Sequence, residues 1–171
     1  MEAQERRQAI VAHLRASEGP VPGRALAQRF GVSRQVIVQD ISVLRAAGYP
    51  ILPTARGYVW LSLTEDSRAR RVVAVRHTPE QTQDELERLV DAGVTVVDVI
   101  VEHPIYGEVK GRLMHSTRAD VHAFMQRLRE TKAHLLSELT DGVHLHTLEA
   151  DEPAQLDRAV AALREAGYLI E

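Results

Sequence analysis

The chain contains no cysteine, so histidine, carboxylate and arginine are the side chains best able to do chemistry. Their tightest grouping is His144-Leu145-His146. On a strand, residues i and i+2 point the same way, so both imidazoles project from one face while Leu145 goes to the other. Two imidazoles side by side suit a divalent metal. His77, at the end of an earlier β-rich run, offers a third nitrogen, and Glu85, on the helix expected to follow, offers an oxygen. Such a donor set fits zinc, nickel or iron, and a metal preferring a higher coordination number keeps a position open for a small anion.

Each of these residues also has a plainer reading. A solvent-facing strand tolerates His-x-His, and with Thr82 as N-cap, Glu85 stands at N3 as the reciprocal partner of a capping box. Glu87 is an alternative ligand on the same helix. His103, in Glu102-His103-Pro104-Ile105-Tyr106-Gly107-Glu108, is read as a wall of an effector pocket together with Tyr106, with a turn residue or a partner behind the ligands as alternatives. His115, His122 and His134 are read as surface or packing residues.

Positioning these groups requires a run of strands and helices after residue 69. Arg71 to Val75 is β-rich. A helix starts at Thr78, with Pro79 at N1, or at Thr82, and carries Leu86, Leu89 and Val90 to Gly93. Val94–Val101 and Glu108–Met114 read as a hairpin across Pro104-Ile105-Tyr106-Gly107. Thr117 and Asp120 cap a helix with Val121, Phe124, Met125 and Leu128 on its apolar stripe. Val143–Leu148 is a strand, Asp151 caps a last helix through Leu163, and Tyr168-Leu169-Ile170 reads as a terminal strand. The order β-α-β-β-α-β-α-β implies an α+β regulatory domain with helices packed on one side of a sheet.

The first sixty residues have a different pattern. Helices are expected at about 3–17, at 22–30 with Pro22 in the first turn and Gly31 as cap, and at 33–47 with Ser33 as N-cap. The short Phe30-Gly31-Val32-Ser33 turn has the length and glycine of a helix-turn-helix. With Ile37, Ile41 and Leu44 facing inward, the third helix presents Arg34, Gln35, Val38, Ser42 and Arg45. Arg can be bidentate to guanine, Gln to adenine, Val can touch a thymine methyl, and Ser33 at the helix N-terminus can hold a phosphate. Ile51-Leu52 and Tyr58–Leu61 then flank Thr54-Ala55-Arg56-Gly57, a wing with Arg56 at its tip, where it would reach a phosphate or the minor groove. This makes the N-terminal part a winged helix, mainly α with a β wing.

Charge divides the chain in the same place. Residues 1–61 carry 8 basic and 4 acidic side chains, or +4, and residues 62–171 carry 13 and 20, or −7, which together give the net −3. The cationic part suits double-stranded DNA; the anionic part would repel it. The polar stretch Ser62 to Arg68 reads as the junction, so the expected domains are 1–62 and 69–171. A length of 171 residues, 44% of them apolar and 26% charged, describes a folded protein and not a disordered polyelectrolyte. Lack of cysteine excludes disulfides, thiolate zinc fingers and Cys nucleophiles and fits a reducing compartment. The charged Met1–Arg7 segment is unlike a signal peptide, and no apolar run reaches the ~18 residues of a membrane span, so the expected location is cytoplasmic, without a membrane partner.

These residues resemble a known family. Ser33 to Ile41, followed by Leu44-Arg45, Gly48-Tyr49, Thr54 and Arg56-Gly57-Tyr58-Val59, is similar to the winged helix of niacin-responsive transcriptional repressors. Val101 to Glu108, Leu136 to Thr140 and Gly142 to Thr147 resemble their 3H domain. The resemblance implies a homodimer that represses genes of niacin uptake or NAD biosynthesis when nicotinic acid is present. It also implies one divalent metal per chain held by His77, Glu85, His144 and His146. One departure is Ala92-Gly93-Val94-Thr95, where the family pattern has a second glycine and a basic residue. The first part alone also resembles the DNA-binding domain of biotin ligase repressors, whose ligase domain is missing here. Two other functions fit the same residues: a repressor answering to the metal alone, and a metal-dependent enzyme fused to a DNA-binding domain. Against the enzyme, the chain shows no general base with recognisable spacing, no Gly-rich phosphate loop and no nucleophile motif.

Overall fold

The computed structural model describes residues 1–61 and 68–171. Most of the expected junction, from Ser62 to Ser67, lies outside the described residues. The chain divides into two compact units, Met1–Glu65 and Asp66–Glu171.

The first unit holds α1 (Ala3–Ala16), α2 (Gly23–Phe30), α3 (Arg34–Ala46), β1 (Ile51–Thr54) and β2 (Gly57–Trp60). Its core is Ile10 and Leu14 from α1, Leu26 from α2, Ile37, Ile41 and Leu44 from α3, and Ile51 from β1. The apolar stripe read from α3 is therefore the face that packs. Gly31 ends α2 at φ 64°, a left-handed conformation that glycine adopts without a Cβ penalty, and Ser33 Oγ accepts from the Val36 N–H to open α3. Pro22 stands one position before the first turn of α2, as its N-cap. β1 and β2 pair antiparallel, Ile51 with Trp60 through Thr54 with Gly57. The wing is tied back by a bridge in which Val21 and Tyr58 exchange backbone hydrogen bonds of 2.9 and 2.8 Å. Gly57 makes that approach possible, because a Cβ there would sit 2.4 Å from the Val21 carbonyl oxygen.

The second unit runs β3 (Ala69–Arg76), α4 (Thr82–Asp91), β4 (Thr95–His103), β5 (Gly107–His115), α5 (Arg118–Thr131), β6 (Val143–Ala150) and α6 (Pro153–Ala166). The strands form one antiparallel sheet in the order β3-β6-β4-β5, so β6, last in sequence, is inserted between β3 and β4. The register puts Val75 beside His144 and Val73 beside His146, while Ala74, Leu145, Ile100 and Lys110 form a row on the opposite face. Glu85 of α4 reaches the His144 side, Phe124 of α5 stacks on His115, and Leu136 lies over Gly111 and Val99. The helices thus cover the histidine face, as the β/α order implied. α6 packs on α4, β3 and β6 with Leu156, Ala159 and Leu163 buried.

Three local expectations are corrected. Asp151 is not the cap of α6: Glu152 is, in a capping box with Gln155, and Asp151 instead meets Arg68 at 3.2 Å. Pro153 explains the shift, since it occupies N1 and makes the preceding residue the cap. Tyr168-Leu169-Ile170 does not form a full strand; it makes a bridge to Val75, with Arg76 N–H donating to Tyr168 and Ile170 N–H to Ala74. The proposed Thr82–Glu85 capping box is also absent. A short 3₁₀ turn, Pro79–Gln81, precedes α4, and the box closes between Thr78 and Gln81.

The cap on α3 gives a direct stability test. Ser33→Ala removes the acceptor for Val36 N–H and is expected to cost about 1 kcal/mol of stability, read as a lower midpoint in urea unfolding of the full chain.

Candidate metal centre

Because Thr78 and Gln81 cap each other, Glu85 is free to turn inward from the first turn of α4. It is 1% exposed. Three imidazoles surround it. His77 stands immediately after β3 and contacts Glu85 Oε2 through Nε2. His144 and His146 descend from alternate positions of β6, with Nε2 atoms 3.4 Å from Oε2 and 2.6 Å from Oε1. All three histidines are buried.

Each ring is fixed from behind. His77 Nδ1 donates to the Thr78 carbonyl at 2.7 Å, His144 Nδ1 to the Gly142 carbonyl at 2.8 Å, and His146 Nδ1 to the Asp98 carbonyl at 2.7 Å. A ring whose Nδ1 carries the proton presents its Nε2 lone pair as ligand, the arrangement by which backbone carbonyls orient metal-binding histidines. Asp98 reaches β6 twice, since its carboxylate also accepts from Thr147 N–H at 2.8 Å. Gly142 brings the histidines together: at φ 88° a Cβ on it would lie 2.2 Å from the His77 carbonyl oxygen. Tyr168 closes the site, stacking edge-on against His77 at 5.3 Å and donating its hydroxyl to Asp84. Sequence reasoning missed Asp98, Gly142 and Tyr168. Only Gly142, between Asp141 and a strand, gave a signal.

The fit to a cation rests on these atoms. His77, Glu85 and His144 offer ligand atoms within 4.8 Å of one another, and His146 adjoins through the other carboxylate oxygen. Glu85 Oε1 and His146 Nε2 are buried and lack a hydrogen bond of good geometry. Buried polar atoms are rarely left so, and a divalent ion accepting both would satisfy them. Glu87, the alternative ligand, points elsewhere, pairing with His122 at 2.9 Å and with Arg118.

His103 and Tyr106 sit in a different setting. His103 Nδ1 accepts from the backbone N–H groups of Ile105 and Tyr106, so it builds the hairpin turn, and Tyr106 is exposed. A depression of about 390 Å³ nearby is lined by Ile100, Glu102, Glu108, Val143, His144 and Leu145 among others, with neither His103 nor Tyr106 in its wall. His115 is buried against Phe124, and His134 stands exposed beside Glu138.

In the first unit, successive α3 residues advance by about 100°. Arg34, Arg45, Val38, Ser42 and Gln35 therefore share an arc of about 100° that flanks the packed stripe of Ile37, Ile41 and Leu44, with Arg34 at its near edge, about 20° from Ile41. Arg34, Gln35, Ser42 and Arg45 are exposed and Val38 is half-buried, with Ser33 and Arg56 also exposed. The Ser42 hydroxyl donates to the Val38 carbonyl, leaving its lone pairs for a partner. Asp40, on the inner side of α3, is buried and receives Arg6 at 2.6 Å and Arg7 at 3.4 Å from α1. This clamp, unrecognised from the sequence, fixes the rotation of α3 about its axis.

Proton balance in the histidine cluster sets its pH behaviour. Burial is the largest influence on His77 and acts to lower it, but the hydrogen bond and charge of Glu85, with the Thr78 carbonyl, outweigh it and raise the imidazole above 6.5. His146 is raised the same way, against its burial, by Glu85 and Asp98. For Glu85, burial pushes upward, yet the charge of His146 and the closeness of the His144 and His77 rings hold it well below 4.5. The raised imidazoles stabilise the fold below about pH 6.5, and that contribution is lost as pH rises through their folded values; Glu85 contributes above about pH 4.5 and loses its contribution on acidification. Metal-free protein is expected to be most stable between those limits and to lose Tm above neutrality in a thermal series. Added divalent metal reverses the upper limb, since ligation requires unprotonated Nε2.

Residues 70–171 match the family model of the 3H domain and residues 6–59 that of an HTH domain. The chain is 46% identical over 168 residues to transcription repressor NadR of Bacillus subtilis (strain 168), covering 97% of this chain and 93% of that protein. It is 45% identical over 168 residues to the probable transcription repressor NiaR of Thermotoga maritima, covering 98% and 95%. No helix among the described residues is long and apolar enough to cross a membrane. With an HTH domain ahead of a 3H domain along almost its whole length, the chain belongs to this family of DNA-binding transcription repressors and is not an enzyme.

Proposed function

We propose that the chain is a cytoplasmic, homodimeric repressor that answers to nicotinic acid through a metal centre and controls genes of niacin uptake or NAD biosynthesis. The observation that carries this reading is the convergence of three Nδ1-anchored imidazoles on the buried Glu85. The niacin response itself comes from the family resemblance. His77, Glu85, His144 and His146 hold one divalent transition metal, nickel, zinc or iron. A bound ion supplies positive charge and an open position for an anion. Tyr168 and the surrounding β3 and β6 side chains exclude water, so a carboxylate entering there gains more from that charge than it would in solvent.

The effector is placed at the metal, not in the depression beside the hairpin, because Glu102 and Glu108 line that depression and repel an anion. On the DNA side, α3 enters the major groove of a double-stranded operator. Arg34, Gln35, Val38, Ser42 and Arg45 face the bases, Ser33 holds a phosphate and Arg56 reaches the backbone or minor groove. Two copies related by a two-fold read two half-sites of a roughly palindromic operator. Effector binding shifts the spacing of the two recognition helices, which requires a differential affinity of typically ~1–3 kcal/mol between the two arrangements.

One observation favours a second reading, a repressor answering to metal alone: all four ligand side chains are buried. Titration calorimetry of nicotinate and nicotinamide into metal-replete and metal-stripped protein separates the two. Nicotinate heat only in the replete protein is expected; no heat in either leaves the metal as the effector. The His144→Ala plus His146→Ala variant should lose its metal by elemental analysis, and undiminished occupancy would place the ligands elsewhere. In gel-shift titrations Arg45→Ala should weaken operator binding and relax base preference at one position of each half-site, by about 1–3 kcal/mol. Nicotinate should tighten wild-type binding, and unchanged affinity would remove the switch.

A further inference from the structure

The helices of the second unit all lie on the histidine face of its sheet, and the other face has an apolar middle and charged ends. Register fixes which residues share it. Val72 and Ala74 of β3, Leu145 of β6 and Ile100 of β4 form its centre. Val72 is 54% exposed and Val143 40%. Toward the hairpin end come Arg76, Glu102 and Glu108, and along β5 the same face carries Lys110 and Arg112.

Glu102 and Glu108 are directly opposed across β4 and β5, and both are exposed. Like charges in that position destabilise a hairpin. No salt bridge among the described residues relieves them, and Arg76, Lys110 and Arg112 likewise make none, although Arg112 lies across from the buried Asp98 in the sheet register. Exposed acids and bases without salt bridges therefore lie on one face around an apolar row.

We propose that this open sheet face is the surface on which two copies of the chain associate, with the Leu145–Ile100 row stacked at its centre. Charge complementarity selects a second copy as the occupant. A two-fold parallel to the strands exchanges the two edges of the sheet and sets Glu108 opposite the second copy's Arg76. A two-fold perpendicular to the strands, through the Leu145–Ile100 row, sets Glu108 opposite the second copy's Arg112. In either case the acid repelled within its own hairpin meets a base across the interface, twice by symmetry. The size is sufficient: strands about 4.8 Å apart and about seven residues long give a face of roughly 20 by 24 Å, so stacking two hides about 1,000 Å² at the least, the lower bound for a specific interface. Aligned sheets packing about 10 Å apart would bury Val72 and Val143. The proposal rests on the two-fold repressor reading above and names the surface it uses.

Sedimentation equilibrium on the full-length, metal-loaded chain tests it. Wild type is expected to be a dimer, while Glu108→Arg and Val72→Asp each weaken the dimer by at least about tenfold. Both positions are exposed, so folding is preserved, and an unchanged thermal midpoint and metal content verify that. Combining Glu108→Arg with either Arg76→Glu or Arg112→Glu should restore association, and the partner that restores it identifies the axis. A wild-type dimer indifferent to both single variants overturns this surface while leaving the two-fold repressor intact. A wild-type monomer overturns both.

Discussion

A carboxylate buried as deeply as Glu85 costs several kcal/mol unless positive charge or hydrogen-bond donors meet it. Three imidazoles do so here, and much of the second unit is arranged to bring them there. β6 is inserted between β3 and β4, so His144 and His146 lie beside Val75 and Val73, and His146 can borrow the Asp98 carbonyl from the other neighbour. His77 follows β3 directly, and Gly142 permits its backbone to pass where a side chain would clash. The 3₁₀ turn at Pro79–Gln81 sets the start of α4 so that Glu85 faces inward. Removing any one of these would leave an ionised group without its counterpart in a dry interior.

The same economy of charge distinguishes the two units. Residues 1–61 carry +4, and arginines of α3 and the wing are exposed. Asp40, the acid within α3, is turned inward and gripped by Arg6 and Arg7, which keeps its negative charge away from the exposed arc of Arg34, Gln35, Ser42 and Arg45. Residues 62–171, at −7, repel a nucleic acid but suit a cation at the centre of the histidine cluster.

Much of this was legible from residue order because the periodicities are strong. Ile37, Ile41 and Leu44 mark the packed side of α3 whatever surrounds them, and a strand with histidines two apart must present both on one face. Where the reading slipped, local rules competed. Thr82 with Glu85 and Thr78 with Gln81 each satisfy the capping-box pattern, and propensity cannot choose between them. The fold chose, because Glu85 was needed inside. Asp151 and Glu152 were a similar choice, decided by Pro153. His103 was read as a pocket wall because it lies among turn residues near a histidine-rich strand, yet its ring serves the backbone of that turn.

What the sequence determined by itself was the set of elements, their apolar faces, the change of charge near residue 62 and the candidacy of His77, Glu85, His144 and His146, with Glu87 left open beside Glu85. These depend on spacing along the chain, which carries the period of each element and needs no partner to be read. Strand order, the carbonyls behind each ring, the Asp40 clamp and the apolar face opposite the helices were decided only in three dimensions. They pair residues such as Asp98 with His146 and Arg6 with Asp40, tens of positions apart, and no periodicity links such residues before the chain closes on itself.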